Sequence, residues 1–330
     1  MNTPNSAVSD QPLGAVSFSD LYLEPDGRAW FKTYGSDPLR HTIPAAAQAS
    51  VAALRAQVQQ SSKRNFRVEW EGMSLRSARF NTSRGDLFVL RRSPQRALDF
   101  FSLRYGARIE AALLAPRQEG GRLYLFTGET GSGKTVGLTA WTVERMRRFG
   151  GAGFTIENPI EIPIGGEYRG NHACGTLYQT EVDDDAEFGP EIRERLRAAP
   201  NLLMLGEVRT ADAVAQAMLA ATSGIDVGVT FHAADLVNGL QRLASMVRDA
   251  GYDAGMFANS IAAVLHQKLT RSERDGEAHW QLSVSPLIVT GSRDERAIRS
   301  HLHGADFRQL QPIIARHEGA ATSTARNVGF

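Results

Sequence analysis

The sequence contains a single cysteine, Cys174, in 330 residues. One thiol cannot close an intrachain disulfide or build a CxxC-type structural zinc site, and such scarcity points to a reducing compartment. Long apolar runs are also missing: none reaches the roughly 18 residues that a membrane span needs. The opening MNTPNSAVSDQPLG has neither a basic start nor an apolar centre. A cytosolic chain is expected, neither secreted nor embedded. Charge of one sign is equally lacking. With 37 Lys and Arg against 36 Asp and Glu, no bulk field draws the protein to nucleic acid or anionic lipid, so any such contact must be local.

What remains is an ordinary folded composition, 42% hydrophobic and 22% charged, at a length that suggests two domains. Residues 1–15, rich in Ser, Pro, Asn and Gly, are expected to form a loose tail. In SDLYLEPDGRAWF, Leu21 and Leu23 alternate with Tyr22 and Glu24 before a PDG turn, the pattern of a hairpin; a helix follows Pro44. Phe66, Val68 and Trp70 open a second β-rich stretch that turns at Ser83, Arg84 and Gly85. Residues 16–115 therefore read as a smaller α+β domain with its connector, and the junction is placed near Ala115. From there RLYLFTG, GFTIEN, APNLLMLGE and DVGVTFH read as strands alternating with helices such as KTVGLTAWTVERMRRFG and ADAVAQAMLAAT. That alternation implies an α/β domain with a mainly parallel sheet over residues 116–315, followed by a flexible tail at 316–330.

GETGSGKT, Gly128 to Thr135, matches GxxxxGK[ST] between a strand and a helix, the context in which this motif binds phosphate. Gly128, Gly131 and Gly133 let the backbone curl, and the amides of Gly128, Glu129, Thr130, Gly131, Ser132, Gly133, Lys134, Thr135 and Val136 together with the helix N-terminus favour an anion. Lys134 supplies a full charge toward the β- and γ-phosphates of ATP, and the Thr135 hydroxyl is placed to ligate Mg²⁺. Glu207, ending the apolar LLMLGE, is the carboxylate that would hold the metal's water shell. His232 in TFHAAD stands at a strand end, where an isolated histidine is ordinarily a packed core residue.

Several segments together resemble the PilT-like and VirB-type secretion ATPases, the hexameric motors of type IV pili and of type II and type IV secretion. FTIENPIE is similar to that family's aspartate box, NLLMLGEVRTAD to its Walker B segment, and GVTFHAAD to its histidine box. SDLYLEPDG resembles the opening of its PAS-like N-terminal domain, and SPQRALDF the approach to its motor domain. The resemblance implies a RecA-like P-loop NTPase domain preceded by a smaller α+β PAS-like domain. It assigns Glu157 to polarising the attacking water, with Glu161 as a weaker second carboxylate, and His232 to sensing the γ-phosphate. It also implies arginines of the N-terminal domain reaching a nucleotide, Arg84 and Arg92 fitting best among Arg76, Arg79, Arg84, Arg91 and Arg92. Arg195, Arg197 and Arg209 match further family positions. A homo-hexamer working at an inner-membrane secretion or pilus platform, cytoplasmic and peripheral to the membrane, follows by the same implication.

Departures from the family pattern occur at Asn158, Thr180, Thr210, Ile225 and Val136. One cysteine cannot build the tetracysteine zinc insertion typical of pilus-extension and type II secretion ATPases, and the length suits the compact group. Both point to the compact retraction-like group, which includes the DotB/TraJ-like ATPases of type IVB secretion and conjugation, and the departures lean the reading toward that secretion or conjugation branch, with pilus retraction as the alternative. Two readings of other classes stay open: a nucleic-acid motor, suggested only by the local basic run ERMRRFG, and a nucleotide-gated ring with little turnover. No stable nucleic-acid binding is expected. His266 reads as structural, and the acidic run EVDDDAEFG as a solvated loop.

Overall fold

The structure, a computed structural model, describes residues 12–33, 39–116, 122–274 and 277–319. The chain forms two compact units, Met1–Gln95 with Pro159–Glu161, and Arg96–Asn158 with Ile162–Phe330.

The first unit is built from β1 (Asp20–Leu23), β2 (Ala29–Lys32), β3 (His41–Thr42), α1 (Gln48–Gln59), β4 (Asn65–Trp70), β5 (Met73–Thr82) and β6 (Gly85–Ser93). Its strands form one antiparallel sheet in the order β3-β2-β1-β6-β5-β4. Alternation explains the two faces. Leu21, Leu23, Leu75, Phe88 and Leu90 point inward and are covered by Val51, Leu54 and Val58 of α1. Tyr22 points outward and stacks on its cross-strand partner Trp30 with centroids 3.9 Å apart. The expected turn at Ser83–Gly85 joins β5 to β6, and the PDG turn closes with a Gly27 N–H to Glu24 carbonyl bond of 3.1 Å.

The second unit contains α2 (Ala107–Leu113), β7 (Leu123–Gly128), α3 (Lys134–Phe149), β8 (Gly151–Glu157), β9 (Gly166–Arg169), β10 (Cys174–Glu181), α4 (Phe188–Leu196), β11 (Leu202–Leu205), α5 (Ala211–Thr222), β12 (Asp226–His232), α6 (Leu236–Asp249), α7 (Ala254–Ser260), β13 (Ile261–Arg274), β14 (Glu277–Ile288), α8 (Glu295–His303) and α9 (Gln311–Gly319). The sheet order is β14-β13-β7-β12-β11-β8-β10-β9. Its inner strands run parallel, and β14 and β9 pair antiparallel at the two edges. β7 and β11 are buried along their whole length, as strands covered on both faces must be, which is why they read as continuous apolar runs. Tyr124, Phe126 and Met204 face α2 and α3 on one side; Leu125, Leu203 and Val229 face α5, α6 and α7 on the other.

A buried ion pair fastens α3. Arg145 donates to the Asp226 carboxylate at 2.6 Å and to the carbonyls of Leu113 and Ala115 at 2.9 and 3.1 Å. Its guanidinium lies 4.5 Å from the Phe149 ring centroid.

Several expectations change. The compact units divide after Gln95, not near Ala115, because Phe100, Leu103, Tyr105, Ile109 and Leu113 pack against Trp141 and Met146 of α3. The loose N-terminal tail cannot reach residue 15, since Leu13–Ala15 form a 3-10 turn with Leu13 fully buried. Nor does a tail begin at 316: α9 continues to Gly319, and His317 is buried. The remaining tail residues, 1–11 and 320–330, lie outside the described residues. The segment NSIAAVLHQKL is helical only to Ser260 and then becomes β13. Its apolar stretch IAAVL carries no periodicity that distinguishes a buried strand from a buried helix. Among the described residues no helix is long and apolar enough to cross a membrane.

Candidate active site

Parallel sheets place the ends of their strands on one edge, where the loops that follow are free to hold ligands. Four neighbouring strands, β7, β12, β11 and β8, here deliver Gly128, His232, Glu207 and Glu157 to that edge. The register is direct: His232 pairs with Gly128, and Leu205, two residues before Glu207, pairs with Ile156, next to Glu157.

The phosphate loop runs between β7 and α3. Gly128, Gly131 and Gly133 have φ of 147°, 79° and 85°, in the region that favours glycine. At Gly128 space is short as well, since a Cβ there would stand 2.4 Å from both the Gln267 carbonyl and Ser132 Oγ. Glu129, Thr130 and Gly131 are exposed; Thr135 and Val136 are half-buried in the first turn of α3. Lys134 Nζ donates to the carbonyls of Gly128 and Glu129 at 3.0 and 2.7 Å, folded over the loop it serves. Ser132 is 5% exposed, and its hydroxyl has no hydrogen-bond partner among the described residues.

Glu157 is 1% exposed, an environment that a carboxylate tolerates only with good partners. Thr155 Oγ1 and Gln179 Nε2 both donate to its Oε1 at 2.8 Å. Gln179 also donates to the Ile162 carbonyl at 2.9 Å and accepts from the Ile164 and Gly165 amides at 2.8 and 3.1 Å. It therefore fixes both the carboxylate and the chain beyond the aspartate box. Sequence reasoning missed Gln179, because β10, which carries it, has no clean alternation. Its place just before Thr180 and Glu181 in a matched family segment was the available signal.

Glu207 is more open. Arg209 donates to it at 2.6 Å and also to Asp185 at 3.1 Å. His232 is exposed at the tip of β12, beside the loop. The His266 ring lies across β7 from it, its Nδ1 3.1 Å from Thr127 Oγ1, with Lys134, Glu129 and Asp235 near enough to act on its charge.

The arginines divide. In the first unit Arg79 pairs with Asp86, Arg91 with Asp20 at 2.7 Å, and Arg76 with Glu161 at 2.5 Å. That last pairing assigns Glu161 a partner away from Glu157. Arg92 donates to the Val16 carbonyl at 3.4 Å and lies over Phe18. Arg84 is exposed at the β5–β6 turn, its guanidinium without a hydrogen-bond or ion-pair partner among the described residues. Arg195 and Arg197 pair with Glu191 and Glu194 along or beside α4. Of the basic run ERMRRFG, Arg145 is buried, whereas the exposed Arg148 pairs with Glu144 at 2.8 Å and the exposed Arg147 lies over Tyr168. Among the described residues no group of three or more His, Cys, Asp or Glu is arranged to hold a metal, the EVDDDAEFG run included.

The family departures find local uses. The Thr210 hydroxyl caps α5 by accepting from Ala213 at 3.2 Å, Thr180 Oγ1 donates to the Thr155 carbonyl, and Asn158 Nδ2 donates to Asp185 at 3.4 Å.

Taken together, these units define the class: an α/β protein with a mainly parallel, RecA-like P-loop sheet preceded by a smaller α+β PAS-like domain. The chain belongs to the Type II/IV secretion system protein family, which matches residues 46–303. It is 29% identical to the protein transport protein HofB homolog of Escherichia coli K12, over 92% of this chain and 76% of that one. Identity to the type IV pilus retraction ATPase PilT of Pseudomonas aeruginosa is 26%, over 86% and 83%. The chain spans only 54% of the type II secretion protein HxcR of P. aeruginosa and 41% of the type II secretion ATPase E of Vibrio cholerae, which it also matches. Among solved structures, PilT with bound ADP superposes with a TM-score of 0.67 at 20% identity, covering 91% of this chain and 86% of that one. DotB of Legionella pneumophila gives 0.64 at 21%, covering 91% and 84%. Both share the fold of this chain.

Proposed function

We propose that this protein is the ATPase subunit of a homo-hexameric motor that powers a type IV secretion system of the type IVB or conjugative kind. One observation carries the ATPase part of the reading: the phosphate loop, Glu157, Glu207 and His232 occupy the ends of adjacent parallel strands. The similarity to PilT supports pilus retraction as the second reading.

ATP binds with its phosphates in the loop of Gly128–Thr135. Lys134 leaves the carbonyls of Gly128 and Glu129 for phosphate oxygens, and the buried hydroxyl of Ser132 gains a partner. The residues suit Mg²⁺: the Thr135 hydroxyl would ligate it and the Glu207 carboxylate would hold its water shell, hard oxygen donors of the kind this ion takes. Held there, Mg²⁺ would supply positive charge against that of the phosphates. Arg209 holds Glu207 through an exposed ion pair, and such pairs contribute little, so it yields the carboxylate readily. Glu157, aligned by Thr155 and Gln179, orients the attacking water and accepts its proton. His232, beside Gly128, reads the γ-phosphate, and Arg84 and Arg92 supply cations to a nucleotide. Turnover drives movement of one domain against the other, and the work is delivered to an inner-membrane platform from the cytoplasmic side.

Steady-state ATP hydrolysis by wild type, Lys134→Ala, Glu157→Gln and His232→Ala, with and without single-stranded DNA, tests this. Wild type should turn over regardless of DNA. Glu157→Gln should fall about 10²–10⁴-fold, the usual worth of a general base, while still binding nucleotide. Inert wild type would transfer the case to a nucleotide-gated ring, and strong DNA stimulation to a nucleic-acid motor.

A further inference from the structure

Beyond the motif residues, one more residue packs against both the entry of the phosphate loop and the first turn of the helix that follows it. Gln267 lies on β13 next to β7 and is 1% exposed. Its main-chain carbonyl faces the loop's entry, where a Cβ on Gly128 would be 2.4 Å away. Its side chain faces the loop's exit: a Cβ on Gly137, in the first turn of α3, would be 3.0 Å from Gln267 Oε1 and 2.2 Å from the Tyr105 hydroxyl. Only glycine fits at 137, so helix, glutamine and tyrosine are packed to contact.

Gln267 Nε2 donates to the Tyr105 hydroxyl at 3.1 Å. Tyr105 is 3% exposed, and burial raises its pKa, which keeps the phenol neutral and its proton available. Gln267 Oε1 has no partner among the described residues. Two apolar side chains would pack in the same space without that orphaned acceptor. A half-satisfied polar pair in a core calls for a reason other than stability. Rotating the amide offers a second arrangement, in which the hydroxyl donates to Oε1.

Tyr105 stands in the connector. The chain enters the second unit at Arg96, turns at Phe100–Leu103 under an Asp99 cap, and passes Arg104 with φ 52° and Gly106 with φ 91°. Tyr105 packs on Phe100 within this turn, ring centroids 5.7 Å apart. We infer that Tyr105 and Gln267 are positioning residues, a buried joint through which the connector sets the first turn of α3 and nucleotide state at Lys134 and Thr135 reaches the connector. The inference rests on the ATPase reading.

The test compares wild type, Tyr105→Phe, Gln267→Met and the double variant in thermal stability, labelled-ADP affinity and ATP turnover by the full chain. Either single variant should lower kcat roughly ten- to a hundredfold, the cost of a small misplacement of reacting groups, with KM and ADP affinity within about threefold of wild type. The double variant leaves no polar atom unpaired, so its melting temperature should recover while kcat stays low. Recovery of kcat along with stability would reduce the pair to packing and overturn the inference. Folded single variants with wild-type kcat would overturn it too, leaving the ATPase reading intact. An inert wild type would remove that reading and this one with it.

Discussion

A carboxylate buried as completely as Glu157 is held ready by its neighbours. Gln179 is fully engaged, with Nε2 and Oε1 each meeting two groups, so Gln179→Leu removes a donor from Glu157 and loosens the chain at Ile162–Gly165 together. ATP turnover should fall about tenfold or more, with nucleotide affinity retained, since the phosphate loop is untouched; an unchanged kcat would remove Gln179 from the mechanism. His266 supports a second prediction. Burial is the main cause holding its pKa below the ordinary 6.5, Lys134 adds to it, and Asp235 and Glu129 act the other way. Between the folded and unfolded pKa values the unfolded chain binds more protons, so this contribution to stability is complete above about pH 6.5 and is lost as pH falls through the folded value. Thermal unfolding followed from about pH 7.5 to 5.5 should decline less steeply in His266→Gln than in wild type. An equal slope would show that the imidazole is not the group responsible.

At the scale of elements, α3 is fixed at both ends, by the loop at Gly128–Gly133 and by Arg145 near its C-terminus. Gly128→Ala demands a Cβ 2.4 Å from a strand carbonyl at a φ of 147°, and neither β13 nor the loop can move without breaking the sheet. It should cost about 1–3 kcal/mol and abolish measurable nucleotide binding; wild-type affinity by labelled-nucleotide titration would contradict this. Asp226→Ala leaves Arg145 as an unpaired charge in a site where both side chains are at most 5% exposed. Breaking such a pair costs about 3–5 kcal/mol, to be read from urea unfolding, and the site edge of the sheet lies away from it, so residual turnover per folded molecule should persist. Element type was legible where periodicity or length was strong, as in α3, α5, β7 and β12. It was not legible in β13, whose apolar run suits either state, nor in β9 and β10, which mix polar and apolar residues because β9 sits at the sheet edge.

For the whole molecule, the proposal of a ring with arginines acting on a neighbour makes a prediction that a monomer cannot meet. Arg84→Ala should lower turnover by about 10³, the range for an arginine supplied in trans. Mixing it with inactive Lys134→Ala subunits should restore part of the rate, because each ring then contains intact phosphate loops facing intact arginines. No restoration, with mixed rings demonstrated by sedimentation, would place Arg84 outside the neighbour's site.

Local chemistry was decided by the chain order alone. A lysine and threonine after a glycine-rich turn, between an apolar strand and a helix, specify a phosphate site wherever they occur, because the amides and the helix N-terminus come with the turn. The four motifs and their order were likewise readable from residue types, and so were the hairpin at PDG and the turn at Ser83–Gly85. What only the tertiary structure decided are the contacts that span the sequence: Gln179 on Glu157, Asp226 on Arg145, Gln267 with Tyr105 against Gly137, and the division of the chain after Gln95. Each joins residues that no local pattern relates, brought together by strand order and by the packing of helices across a parallel sheet.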